Sequence, residues 1–169
     1  MIRTLKLLID TLFIILCLGI LGFFFILPFE VFSTKIADVE FQDYEGFRNL
    51  PFLYWMGIGM SLLTYILFLV GLNYLRKTAN NFISTSSYTV EITKNLKLSG
   101  IFFILSAIIL ALAYVVVWAI DVSKGQIKLV LGTNVMIPMF LCIVGFFFML
   151  QSKVLDQARL FKEDSNLTI

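Results

Sequence analysis

Four long apolar stretches organise the chain, running from Thr11 to Phe29, Leu53 to Leu75, Leu98 to Ile120 and Leu129 to Ser152. None contains an Asp, Glu, Lys or Arg. Each reaches the roughly 20 apolar residues that a helix needs to cross a hydrocarbon core. The pattern predicts an all-α chain, an integral membrane four-helix bundle forming a single domain over residues 1–169, with a polar tail at 153–169. Arg3 and Lys6 ahead of the first stretch raise a cleavable signal peptide as the competing reading. The stretch is long for a signal core, however, and the following "PFEVFSTK" offers no small-x-small cleavage site, so it is read as a span.

Between the spans the pattern changes character. The first connection, "EVFSTKIADVEFQDYEGFRNLP", mixes aromatics with acids, and its alternation fits a short strand or an interfacial helix equally well. The third, "DVSKGQIKLVLG", is short and has Gly125 as a turn residue. In the second, "RKTANNFISTSSYTVEITKNLKLSG", the Ser/Thr/Asn-rich first half reads as a loop. Ser87 then serves as N-cap of a helix that carries Glu91 in its first turn and runs through Lys94 and Lys97 into the third span. The tail prolongs the fourth helix. Val154, Ala158 and Phe161 share one face, and Asp156 with Arg159 and Arg159 with Glu163 are spaced for ion pairs of about 0.2–0.5 kcal/mol each. Glu163 and Asp164 oppose the dipole at a helix C-terminus, so the helix is expected to fray there and "SNLTI" to project as an extended end.

Composition sharpens the class. The 169 residues are 60% hydrophobic and only 14% charged, with a mean hydropathy of +0.96, which makes lipid the expected solvent and the bilayer the first partner. Positive charge is uneven. Arg3, Lys6, Arg76, Lys77, Lys94, Lys97, Lys153, Arg159 and Lys162 lie on one side of the predicted topology, and Lys35, Arg48, Lys124 and Lys128 on the other. Nine against four places both termini in the cytoplasm, with Trp55 and Trp118 together in the outer interface. The simplest role of the basic second connection is topology plus attraction to anionic lipid, about 1 kcal/mol per residue.

Candidate chemistry is sparse. No histidine occurs, and Cys17 and Cys142 fall mid-span, where they act as small apolar residues rather than a disulfide. No G-x-S-x-G, Walker A, H-E-x-x-H or C-x-x-C pattern is present, so no catalytic, cofactor or metal set is expected and a non-enzymatic role is favoured. With no ionisable residue inside the spans, ion-coupled transport also loses its usual mark. Asp10 and Asp121 flank the membrane edges, where solvated roles are expected. The intramembrane polar candidates are Asn73, Asn134, Tyr65 and Tyr114, with Asn134 and Pro138 marking a kink or, more simply, interhelical glue. Gly57 with Ser61 and Ala107 with Ala111 are small pairs that allow close helix contact.

Two segments carry a resemblance. The ending "SKVLDQARLFKEDSNLTI" and the middle segment "NNFISTSSYTVEITKNLKLSG" resemble the bacterial membrane-protein family called domain of unknown function 2975. Its members end in a similar charged helix closed by Leu-Thr-Ile or Leu-Thr-Val, and have four spans with both termini inside. The resemblance implies a bacterial inner-membrane protein encoded beside a small helix-turn-helix regulator of the Cro/C1 type.

Two functional readings follow. In the first, the cytoplasmic face binds or restrains such a regulator, using Lys94, Lys97, Lys153, Arg159, Phe161, Lys162, Glu163, Asp164, Leu167 and Ile169. Direct contact with nucleic acid is not expected, because the basic residues are few and close to the membrane. In the second, the bundle interior serves a small transporter, channel or lipid- or peptide-binding protein in envelope stress, and Asn134, Tyr65 and Tyr114 carry the weight. An enzyme acting on lipid would need Asp38, Glu40 and Asp43 to converge. Sequence sets no oligomeric state.

Overall fold

The apolar stretches become helices, and the helices run well past them. In the computed structural model they are α1 (Ile2–Phe32), α2 (Phe52–Ser84), α3 (Val90–Ser123) and α4 (Thr133–Leu167), with a minimal antiparallel pair, β1 (Glu40–Phe41) and β2 (Tyr44–Glu45), between the first two. The structure describes residues 2–32, 40–41, 44–45, 52–84, 89–123 and 133–167, with side chains at 3–25, 52, 55–83, 89–119, 122 and 135–165. All four helices are long and apolar enough to cross a membrane. At 1.5 Å per residue each is about 50 Å long, against roughly 30 Å of hydrocarbon. In the first connection the strand option is the one taken, Glu40 pairing with Glu45 and Phe41 with Tyr44.

Packing follows chain order: α1 lies on α2, α2 on α3 and α3 on α4. Glycines bring the backbones together. A Cβ on Gly100 would fall 2.6 Å from the Gly145 carbonyl oxygen, and one on Gly145 would fall 2.8 Å from the Gly100 oxygen. At this point α3 and α4 touch main chain to main chain, the small-residue solution to helix association where lipid gives no hydrophobic drive. A second contact fixes the same register. Seven residues before Gly100 on α3 and seven after Gly145 on α4, the Ser152 hydroxyl donates a buried 2.7 Å hydrogen bond to the Thr93 carbonyl. Between α2 and α3, Gly71 makes room for the Phe103 ring, which stacks on Phe68 and leans on Phe148 of α4. Ile9, Leu72, Ala79 and Phe103 form the core cluster. Leu7, Phe25, Phe140, Ile143 and Phe147 remain exposed, as suits contact with lipid.

Two expectations need correction, and a third falls on a residue outside the described ones. The Ser/Thr/Asn-rich half of the second connection, read as a loop, is helical as far as Ser84, where α2 ends, and residues 85–88 lie outside the described residues. Thr78 and Ala79 are buried there, and the Thr78 hydroxyl is satisfied by the Tyr74 carbonyl at 3.0 Å, so packing overrides weak local propensity. Helix α3 starts at Val90 with Thr89 supplying the first carbonyl, accepting from Ile92 N at 3.1 Å, whereas Ser87 lies outside the described residues. The tail does not fray at Glu163: α4 stays helical to Leu167, and Arg159 bridges Asp156 at 3.1 Å and Glu163 at 3.2 Å. A dipole penalty of about 0.3–1 kcal/mol is small enough for such pairing to offset.

The expected small pairs also fall differently. Gly57 has no close backbone neighbour, and Ala107 is buried while Ala111 is exposed. Helix α4 runs through Pro138 as one element, and the Asn134 side chain lies outside the described residues.

The main-chain contact gives a direct test. Gly100→Leu is expected to lower stability by about 1–3 kcal/mol through overpacking. Gly59→Ala, where nothing lies within 4 Å of the added atom, should stay within about 1 kcal/mol of the parent. Thermal unfolding in detergent, followed by tryptophan fluorescence, separates the two; equal midpoints would remove the glycine contact from its assigned role.

Candidate functional site

Helix α1 meets α2 along only part of its length, and this partial contact leaves a concavity. Near its start three interactions hold it. The Arg76 Nε donates to Asp10 Oδ1 at 2.6 Å, the Arg76 guanidinium sits 5.5 Å from the centre of the Phe13 ring, and the Tyr65 hydroxyl donates to the Leu16 carbonyl at 2.7 Å. At the next turn Gly19 leaves room for this hydroxyl, since a Cβ there would fall 2.8 Å from the Tyr65 hydroxyl oxygen and the side chain would have to shift.

Beyond this level a cavity of about 640 Å³ opens between α1, α2 and α3. Gly19, Ile20 and Phe23 form one wall, Gly57, Ile58, Ser61, Leu62 and Tyr65 the second, and Leu110, Ala113, Tyr114 and Val117 the third. The lining is almost entirely carbon, relieved by the hydroxyls of Ser61, Tyr65 and Tyr114. Apolar walls with a few placed polar groups are the usual make-up of a small-molecule site. Gly57 to Tyr65 spans about 12 Å along α2, and the cavity begins two residues from Trp55 and one from Trp118.

The opposite end of the array differs. Arg76 stands 21 residues beyond Trp55 on α2, about 32 Å along the axis. There α2, α3 and α4 carry buried polar side chains, Thr78, Thr93, Asn95, Ser99 and Ser152. The α3–α4 register brings Leu155 level with Val90, so Asp156–Leu167 passes beyond the start of α3. That is about 18 Å of helix and, among the described elements, α4 packs on α3 alone.

The family described as "Protein of unknown function (DUF2975)" matches residues 42–169. The chain belongs to this family. No curated protein and no solved structure matches it. The DUF2975 match covers α2, α3, α4 and the projecting end, while α1, the outer wall of the cavity, lies before it.

Of the intramembrane candidates, Tyr65 and Tyr114 come together at the cavity, and Asn73 is half-buried elsewhere on α2. The partner candidates divide by helix. Lys94 and Lys97 are exposed on α3, and Lys153 is exposed on α4 close to their level. Phe161, Lys162, Glu163 and Asp164 are exposed on the projection, where Arg159 is half-buried by its two acids. Leu167 ends the helix with its side chain outside the described residues, as is all of Ile169. The acids Asp38, Glu40 and Asp43 likewise have no described side chains. Cys17 and Cys142 are free thiols.

Sequence reasoning missed the pairing of Asp10 with Arg76. The available signal was one acid and one base at matching edges of adjacent antiparallel spans. Both side chains are partly exposed, at 24% and 39%, which calls for a modest energy. A double-mutant cycle with Asp10→Asn and Arg76→Gln is expected to give a coupling of about 1 kcal/mol in thermal unfolding. The exchanged pair, Asp10→Arg with Arg76→Asp, should recover part of it. Strict additivity of the single changes would mean that the pair does not hold α1.

Proposed function

We propose that this chain is a non-enzymatic integral protein of a bacterial inner membrane, with both termini in the cytoplasm, that binds or restrains a small helix-turn-helix regulator. The observation that carries the reading is the end of α4. It continues as one helix past the start of α3, its packed neighbour among the described elements, with Val154, Leu160 and Phe161 exposed. A helix that only anchored the chain would have no use for this length. Support also comes from the excess of Lys and Arg on the side of the termini.

In this reading the projection is the handle and the basic residues Lys94, Lys97 and Lys153 flank its base. The apolar anchor is Phe161, 75% exposed. Burying such a ring contributes about 1.5–3 kcal/mol, so its removal costs roughly ten- to a hundredfold in affinity.

The experiment is capture from native membranes with the full chain, with a chain ending at Leu155, and with Phe161→Asp. Ending at Leu155 removes the projection yet keeps the bond between Ser152 and Thr93. A small helix-turn-helix protein is expected with the full chain, absent with the truncation and at least tenfold depleted with Phe161→Asp. Recovery of the same proteins by all three, with no regulator among them, overturns the proposal.

A further inference from the structure

The cavity at the tryptophan end is a site of a different kind, independent of any partner at the tail. Its origin is mechanical. Helix α1 is held at Asp10, Phe13 and Leu16 and then leaves a gap toward α3, which the small side chains of Gly57, Ser61 and Ala113 do not fill. The space of about 640 Å³ is a half-open groove between the three helices rather than a sealed void, so it is reached from the outside of the array. A cavity with so few polar partners is poorly suited to ordered water, and apolar cavities of this sort take up apolar molecules.

Three features select the occupant. The cavity starts beside Trp55 and Trp118, side chains of the kind that settle at the headgroup level, and runs about 12 Å inward. That length stays within one leaflet of a core roughly 30 Å thick. Its lining contains neither a cation nor an acid, so a phosphate or ammonium brought inside would meet no counter-charge. The hydroxyls of Ser61 and Tyr114 offer hydrogen bonds to a small neutral head, and the Tyr65 oxygen, already donating to Leu16, keeps its lone pairs free to accept.

We infer that the cavity between α1, α2 and α3 binds an uncharged single-chain amphiphile from the membrane, of the monoacylglycerol type, with its chain among Ile20, Phe23, Leu62 and Leu110 and its hydroxyl or carbonyl groups on Ser61 and Tyr114. Entry is from the lipid side, and Tyr65 closes the inner end.

The test uses the full chain in phosphatidylcholine nanodiscs with a monoacylglycerol carrying a photoreactive diazirine on its chain, and maps adducts by peptide mass spectrometry. Adducts are expected to concentrate at residues 19–23, 57–65 and 110–117. Ser61→Leu and Ala113→Leu, which fill the space, are each expected to reduce them about tenfold. Gly59→Leu, at an open position on the same helix, should leave them unchanged, and matched melting midpoints identify the variants that still fold. Unlabelled monoacylglycerol should compete, and phosphatidylglycerol should not. Adducts spread evenly over outward residues such as Leu112 and Phe147, and insensitive to filling, would overturn the site altogether. Cavity adducts displaced equally by phosphatidylglycerol would overturn the neutral class and leave a lipid site standing.

Discussion

The contact on which the rest of the structure depends is the meeting of two peptide backbones at Gly100 and Gly145. In lipid, apolar side chains gain little by leaving their surroundings, so helices associate through close van der Waals fit and satisfied polar groups. Main-chain contact gives that fit at the shortest range, and it tolerates no other residue without a shift. Because Ser152 and Thr93 repeat the same register a short way along, α4 cannot slide on α3 without losing both contacts. The projection past Val90 follows from this register. A helix of the same length docked one turn toward its own N-terminus would project about 5 Å less.

Helix α3 is therefore the keel, with Phe103 wedged over Gly71 on one side and leaning on Phe148 on the other. Helix α1 has no such wedge. It is attached by Ile9, buried in the core cluster, and by a partly exposed ion pair, a cation–ring contact and one tyrosine hydroxyl, all in the first half of its length. Interactions of this type contribute on the order of 1 kcal/mol each. The two ends of α1 are thus held by different physics. One is tied to α2 through named polar groups, and the other borders a cavity whose walls gain contacts only when something occupies it.

The four helices were legible because their apolar runs are long and uninterrupted by charge. The pairings of Arg159 were legible as well, since spacing within one helix is enough to fix them. What sequence could not supply is register between helices. Asp10 and Arg76 are 66 residues apart, and their meeting depends on how α1 lies along α2. The same gap in knowledge explains Gly57 and Ser61. A small residue leaves space, and whether a neighbouring backbone or a cavity takes that space depends on the direction of the partner helix. At Gly100 the answer is a backbone; at Gly57 it is the cavity. The helical end of α2 was hidden for a related reason, because Asn, Thr and Ser are poor helix formers alone and become helical here by packing against α3.

Length is the remaining asymmetry. From Trp55 along α2, about 20 residues suffice for the hydrocarbon core, which brings the helix to Leu75; it then continues to Ser84. Helix α3 starts correspondingly early and α4 ends later still. Helix α2 starts only three residues before Trp55, and α3 ends five after Trp118, so the surplus of this central pair lies at the end that carries the chain termini. That end is also where buried hydroxyls and amides replace apolar packing, in Thr78, Thr93, Asn95 and Ser152. Buried polar groups stabilise a unique arrangement only when satisfied, and the pairing of Ser152 with Thr93 meets that condition across two helices. The bond between Ser152 and Thr93 lies at the base of the α4 extension, so the direction in which that helix leaves α3 is kept by the same register that the two glycines set.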